Sequence, residues 1–99
     1  MNKMYSICLM VVINNNHQCV TAKQVINNED DAINEYFKLD KKKSETSFDI
    51  QRKVKMPVES YLKVDVTNLD DSSLSVLDKY NFFSKIQEIK DKARLPFVD

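Results

Sequence analysis

Residues 5–13 read YSICLMVVI, a run that is apolar at both alternating sets of positions except for Ser6. Because successive side chains of a strand point to opposite faces, this run predicts a strand that is covered on both faces. Either the strand lies centrally beneath helices, or its second face meets a partner. The following Asn14-Asn15-Asn16 predicts a tight turn, because asparagine is the best substitute for glycine at positive φ. A second, less buried strand is then expected over residues 18–26.

The next segment has the pattern of an amphipathic helix. Asn28 is placed to cap its N-terminus, and the acidic residues 29–31 complement the positive end of the helix dipole. The lysines at 41–43 suit the C-terminal end of the same helix, and residues 44–47 are expected to form a loop. The apolar face of this helix comprises Ala32, Ile33, Tyr36 and Phe37.

Residues 48–56 alternate between apolar and polar side chains, which predicts a half-solvated strand. A further strand follows a five-residue loop at 57–61, and pairing the two strands as a hairpin brings their apolar rows together. The same register places Lys53 opposite Asp65, a favourable cross-strand pair. The apolar row of the further strand is Leu62, Val64 and Val66.

From Asp71 onward the chain predicts a second helix, which Asn81 is expected to break into two pieces. Its apolar stripe keeps steps of three and four residues over about five turns. The element order is therefore ββαββα. The simplest assembly is an α+β fold in which one four-stranded antiparallel sheet carries both helices on one face. The predicted stripe comprises Val76, Tyr80, Phe83, Ile86, Ile89 and Ala93.

The composition excludes several function classes. The chain has no glycine in 99 residues, where an average composition places about seven. Phosphate-binding loops, dinucleotide fingerprints, nucleophile elbows and kinase-type loops need glycine, so the sequence argues against those enzymes. This length predicts one domain over residues 1–99. Thirteen lysines against two arginines are typical of AT-rich coding sequence, which favours a bacterial, phage or mobile-element origin.

Two features bear on the cellular compartment. The apolar run after Lys3 is too short to span a bilayer, and no signal-peptide cleavage pattern follows it. In a hairpin that turns at the asparagines, Cys8 and Cys19 fall several positions out of register, so both are expected to stay free. Free cysteines indicate a reducing compartment. We therefore expect a cytoplasmic protein without membrane contact.

Residues able to perform chemistry are few. His17, the only histidine, stands two residues before Cys19, and this pair alone offers too few ligands for a metal site. Nucleophilic catalysis by Cys19 would also need a third group to orient the histidine, and the sequence offers none. We therefore expect a protein that is not an enzyme, with no catalytic residues, no metal and no cofactor.

The leading functional hypothesis is a small inhibitor or antidote, of the anti-defence, antitoxin or immunity type, that occupies a surface of a larger protein. The polar face of the predicted hairpin is the expected contact, directed at an acidic partner surface. Tyr80, Phe82 and Phe83 cannot all face inward on one helix, and Phe82 is the aromatic residue expected to be exposed. The predicted partner-binding residues are Lys53, Lys55, Tyr61, Lys63 and Phe82.

Three alternatives stay open at this point. One is a small enzyme of unrecognised chemistry, whose activity would be lost on His17→Ala or Cys19→Ser with the fold intact. Fifteen basic residues balance fifteen acidic ones overall, but residues 41–63 carry a basic excess. Lysines around Tyr61 on a sheet face would suit a nucleic-acid-binding accessory protein, because such platforms stack bases and neutralise phosphates. A homodimer that continues the sheet, or packs sheet against sheet, would cover the second apolar face of the first strand.

Overall fold

The computed structural model describes residues 2–94, and it confirms the predicted α+β fold with element order ββαββα. All strand pairs are antiparallel, and the four strands form one sheet in the order β2-β1-β3-β4. The elements are β1 (Lys3–Ile13), β2 (Asn16–Ile26), α1 (Glu29–Val54), β3 (Val58–Asn68), β4 (Ser73–Leu74) and α2 (Val76–Arg94).

The apolar run of the sequence forms the central strand β1. Its odd-numbered side chains Tyr5, Ile7 and Leu9 are buried in one core with residues of both helices, so α1 and α2 lie on the same face of the sheet. Neither helix covers the opposite face within residues 2–94, and the molecule is only 18 Å thick in its shortest dimension, as expected for one sheet and one helix layer. We call this second face the open face; on β1 it carries Met4, Ser6, Cys8, Met10 and Val12, all partly exposed.

Asparagine takes the backbone positions that glycine often occupies. Asn14 and Asn15 have φ of 51° and 67° and make the predicted turn between β1 and β2, because two consecutive positive φ values match the twist of a two-residue hairpin. Asn27, just before α1, also has positive φ. Farther along the hairpin, the register shifts between Leu9 and Met10. There Val20 is the additional residue of a β-bulge.

Helix α1 begins as predicted but is longer than predicted. The Asn28 side chain accepts a hydrogen bond from the Asp31 N–H at 3.0 Å, which caps the helix. The helix then continues to Val54, so the predicted loop at 44–47 and the predicted strand at 48–56 are wrong. Positions 47, 50 and 54 are separated by three and four residues, which is the spacing of one helix face. Ser47 Oγ lies 2.6 Å from Ser60 Oγ of β3. This tertiary contact holds the segment as helix against the sheet.

Strand β3 therefore has a different partner from the one predicted. It pairs along its whole length with β1, so that Leu9 faces Leu62, Ile7 faces Val64 and Tyr5 faces Val66. The apolar row predicted for this strand is confirmed, but the five-residue hairpin loop does not exist. Lys53 does not face Asp65, whose carboxylate instead lies 3.8 Å from the Lys79 Nζ of α2.

Helix α2 begins at Val76 rather than at the predicted Asp71 and is continuous through Asn81. Its buried stripe is rotated from the predicted one and shares with it only Ile86 and the partly buried Phe83. Phe82 and Ile86 are buried, whereas Val76, Tyr80 and Ile89 are exposed. Both stripes have helical spacing, but only one places the Phe82 ring between Tyr5 and Tyr36, with ring centroids 5.7 and 5.9 Å away. Burial of this large aromatic ring sets the rotation of the helix.

Candidate functional site

The five predicted partner-binding residues do not form one surface. Lys53 and Lys55 lie at the C-terminal end of α1, while Tyr61 and Lys63 lie on β3, where they face the open side of the sheet. The predicted polar hairpin face would join these four residues only if residues 48–56 formed a strand. Instead, α1 continues to Val54. The predicted hairpin face is therefore wrong, because a short alternating run does not by itself decide between a strand and a helix.

The prediction that Phe82 is exposed is also wrong. Its side chain is 0% exposed and belongs to the core, so it offers no surface to a partner. The expectation that one aromatic of the set 80, 82 and 83 is exposed is nevertheless confirmed, because Tyr80 is 70% exposed. Phe83 is partly buried and packs edge-on to Tyr36.

The exposed Tyr80 belongs to the most strongly exposed group of large apolar side chains in residues 2–94. We call this group the α2 corner; it comprises Leu74, Val76, Leu77 and Tyr80, which are 64, 76, 70 and 70% exposed. Val76, Leu77 and Tyr80 share one side of the first turns of α2, and Leu74 is the last residue of β4. Because the helix turns Phe82 into the core, this side faces solvent. The sequence signal was the excess of apolar residues at 74–77, more than one helix face can bury.

The start of α2 is held in place by a polar network. Ser75 Oγ accepts a hydrogen bond from the Asp78 N–H at 3.2 Å, which caps the helix, and donates one to the Asp78 carboxylate at 2.6 Å. The same carboxylate lies 2.8 Å from Lys3 Nζ of β1. The hydrogen bond from Lys3 is the main reason that the pKa of Asp78 is lowered. This network fixes the position of the α2 corner relative to the sheet.

The exposed charges in the turn that leads to the α2 corner are acidic. Asp70 and Asp71 lie in the turn between β3 and β4, and both are exposed. Asp71 accepts hydrogen bonds from the Ser73 hydroxyl at 2.6 Å and from the Ser73 N–H at 3.0 Å, and these bonds lower its pKa. In contrast, Lys3 and Lys79 of this region are engaged with Asp78 and Asp65. The α2 corner is therefore preceded along the chain by two exposed carboxylates that form no ion pair within residues 2–94.

The open face carries a mixed rather than a basic set of side chains. Beside the apolar residues of β1, strand β3 presents Lys63 between Asp65 on one side and Tyr61 and Glu59 on the other. The Tyr61 hydroxyl lies 2.9 Å from His17 Nδ1, and the two rings meet edge to face. One lysine among two carboxylates does not give this face the positive charge that a phosphate backbone requires.

Within residues 2–94, no three histidine, cysteine or acidic side chains come together in a way that could hold a metal ion. Nor is either helix of that region long and apolar enough to cross a membrane. Comparisons with protein-family models, with curated proteins and with solved structures find no match to this chain. Its function therefore has to be argued from its own surfaces.

Proposed function

We propose that this chain is a non-enzymatic protein-binding module that acts by occupying a surface of a larger protein, as an inhibitor or antidote carried by a phage or mobile element does. The observation that supports protein binding is the α2 corner. Four large apolar side chains, each more than 60% exposed, lie within seven residues of chain. Other large apolar residues, such as Phe48 and Ile26, are also exposed, but none as strongly as these four. Val76, Leu77 and Tyr80 in addition lie on one side of the same helix, and exposed apolar clusters of this kind mark interaction sites.

The energetics favour the α2 corner over the surface predicted from sequence. Burying a leucine or valine side chain that was exposed contributes about 1.5–3 kcal/mol, and tyrosine is among the residues that dominate binding energy at interfaces. Exposed lysines contribute far less, since surface ion pairs are worth about 0–1 kcal/mol. Leu77 and Tyr80 are therefore the residues to which we assign most of the binding energy.

The charge beside the α2 corner defines the chemistry of the partner. Asp70 and Asp71 are exposed in the turn that leads to the α2 corner, and hydrogen bonds from Ser73 lower the pKa of Asp71. A complementary partner surface has an apolar depression with lysine or arginine at its rim. This partner is basic, whereas the lysine face predicted from sequence called for an acidic one.

The lysine-bearing hairpin face that suggested nucleic-acid binding does not form. Lys53 and Lys55 stand with Arg52 at the end of α1, where the Arg52 guanidinium lies over the exposed Phe48 ring at 5.6 Å. The acidic Asp49 lies on the same helix segment. Nucleic-acid binding is therefore kept as an outcome of the experiment rather than as a second proposal.

The test is a pull-down of tagged protein from host lysate, with and without nuclease, using matched lysine variants. Leu77→Lys introduces a charge into the α2 corner, Asn34→Lys introduces the same charge on the exposed side of α1, and Met10→Lys introduces it on the open face. Circular dichroism and thermal melting verify that all three variants fold. We expect one stoichiometric protein that resists nuclease, is retained by Asn34→Lys and Met10→Lys, and is lost with Leu77→Lys.

Other results would contradict the proposal in distinguishable ways. Loss of the captured protein with Met10→Lys but not with Leu77→Lys would move the contact to the open face. Bands that vanish with nuclease would establish nucleic-acid binding. A dimer of this chain in light scattering that Leu77→Lys dissociates would show that the α2 corner serves a second copy instead of a larger protein.

A further inference from the structure

The two cysteines lie on the open face in adjacent strands. Cys8 of β1 faces Ala22, and Met10, two residues further along the same face, faces Cys19 of β2. The cysteines are free and are not directly opposite one another, as the sequence predicted. They are, however, diagonal neighbours on one face. Cys8 and Met10 are two residues apart on β1, whereas their partners Ala22 and Cys19 are three residues apart on β2, because Val20 is an extra residue at the bulge.

The two thiols have different surroundings. Cys8 is partly buried in the central strand, whereas Cys19 is exposed on the edge strand β2. Burial raises the pKa of the Cys8 thiol, and the adjacent Cys19 thiol raises it further. Lys63, directly across from Cys8 on β3, acts in the opposite direction and favours the Cys8 thiolate. Cys19 is therefore the thiol open to reagents, and Cys8 is the protected thiol beside it.

We propose that Cys8 and Cys19 form a reversible intramolecular disulfide when the protein meets a peroxide, which makes the open face a redox modification site. In the first step the Cys19 thiolate attacks the peroxide, whose O–O bond breaks to give a sulfenic acid on Cys19 and hydroxide. In the second step the Cys8 thiolate attacks the Cys19 sulfur and displaces hydroxide. The hydroxide released in each step takes up the proton that the corresponding thiol lost on forming its thiolate, which gives the two waters. Two thiols and one hydrogen peroxide thus give one disulfide and two waters.

The backbone must move slightly for the bond to close. Diagonal neighbours on a sheet have Cα atoms about 7–8 Å apart, whereas disulfides need about 4.4–6.8 Å. β2 is the strand able to make this shift, because its outer edge pairs with no strand in residues 2–94 and the bulge at Val20 already interrupts its ladder with β1. Lys63 assists the second step, since its positive charge stabilises the attacking thiolate.

The test uses the full chain under increasing hydrogen peroxide, with intact mass and thiol titration as the readouts. We expect the monomer to lose two hydrogen atoms in mass and both titratable thiols together, and to recover both with dithiothreitol. The single variants Cys8→Ser and Cys19→Ser separate the roles. Cys8→Ser should accumulate a sulfenic acid on Cys19 that dimedone traps, and Cys19→Ser should give far less adduct on Cys8.

Two results would overturn the inference. Wild-type protein that gains oxygen atoms without ever losing two hydrogens would show that the thiols oxidise independently. Disulfide-linked dimers as the main product, also formed by Cys8→Ser, would show that Cys19 reacts with another copy rather than with Cys8. Lysine substitution at Leu77 leaves this experiment unchanged, so the redox site and the α2 corner are tested separately.

Discussion

Replacing Phe82 by alanine is the sharpest test of how α2 is oriented. The ring is 0% exposed, and its centroid lies 5.7–5.9 Å from those of Tyr5, Tyr36 and Phe83. Truncating a buried phenylalanine removes its transfer free energy and leaves a cavity, which together cost about 3–5 kcal/mol. Small domains have a total free energy of unfolding of about 5–15 kcal/mol. Phe82→Ala should therefore remove a large share of the stability, and we expect the Tm to fall by more than about 12 °C.

Tyr80→Ala is the matched control, because it truncates an aromatic two residues away on the same helix. Tyr80 is 70% exposed, and substitutions at such positions change the free energy of unfolding by about 0.5 kcal/mol or less. Urea unfolding followed by circular dichroism measures both variants. If Tyr80→Ala cost as much as Phe82→Ala, or if Phe82→Ala cost under about 1 kcal/mol, the assigned rotation of α2 would be wrong and the α2 corner would not be a surface.

Two further predictions concern the helix ends. Lys55 ends α1 in the left-handed region, with φ 57° and ψ 37°, so Lys55→Gly should raise the free energy of unfolding by about 0.5–1 kcal/mol. Lys53→Gly, inside the helix, should lower it by about 1 kcal/mol. Changes of the same sign for both variants in urea unfolding would contradict the assigned end of the helix. The pKa of Asp78 is lowered mainly by its hydrogen bond from Lys3, so its ionised form stabilises the fold above about pH 4 and this stability is lost as the pH falls through the lowered pKa. Urea unfolding between pH 2 and pH 7 should therefore show a shallower acid loss of stability for Asp78→Asn than for wild type, and identical pH dependence would refute the role of this pair.

The parts of the fold that the sequence predicted correctly have a local cause. The run at 5–13 is apolar at both parities and forms the central strand, but within residues 2–94 the helices cover one of its faces, whereas the pattern predicted cover on both. Consecutive asparagines can adopt positive φ without glycine, and Asn28 with its acidic first turn is a helix start in any context. In each case the physical reason lies within a few residues of chain.

The errors occurred where the decision depends on a distant contact. The alternation of residues 48–54 favours a strand by pattern, and packing against β3, through contacts such as Ser47 with Ser60, accompanies the helix that forms instead. Likewise, two stripes of α2 have helical spacing, and the rings of Tyr5 and Tyr36 select the one that contains Phe82. A strand at 48–56 would place Lys53 and Lys55 on one sheet face, and this face does not form because α1 continues to Val54.

The same dependence on distant contacts explains why the α2 corner becomes visible only in the fold. Val76, Leu77 and Tyr80 look like core residues by composition, and they become surface residues because Phe82 and Ile86 take the buried side of the helix. A sequence that specifies its fold consistently places apolar residues where the fold buries them, and departures from this rule concentrate at functional sites. Solubility alone would favour polar side chains at these positions. The four large apolar residues beside a well-capped helix start are therefore the observation from which we propose contact with another protein.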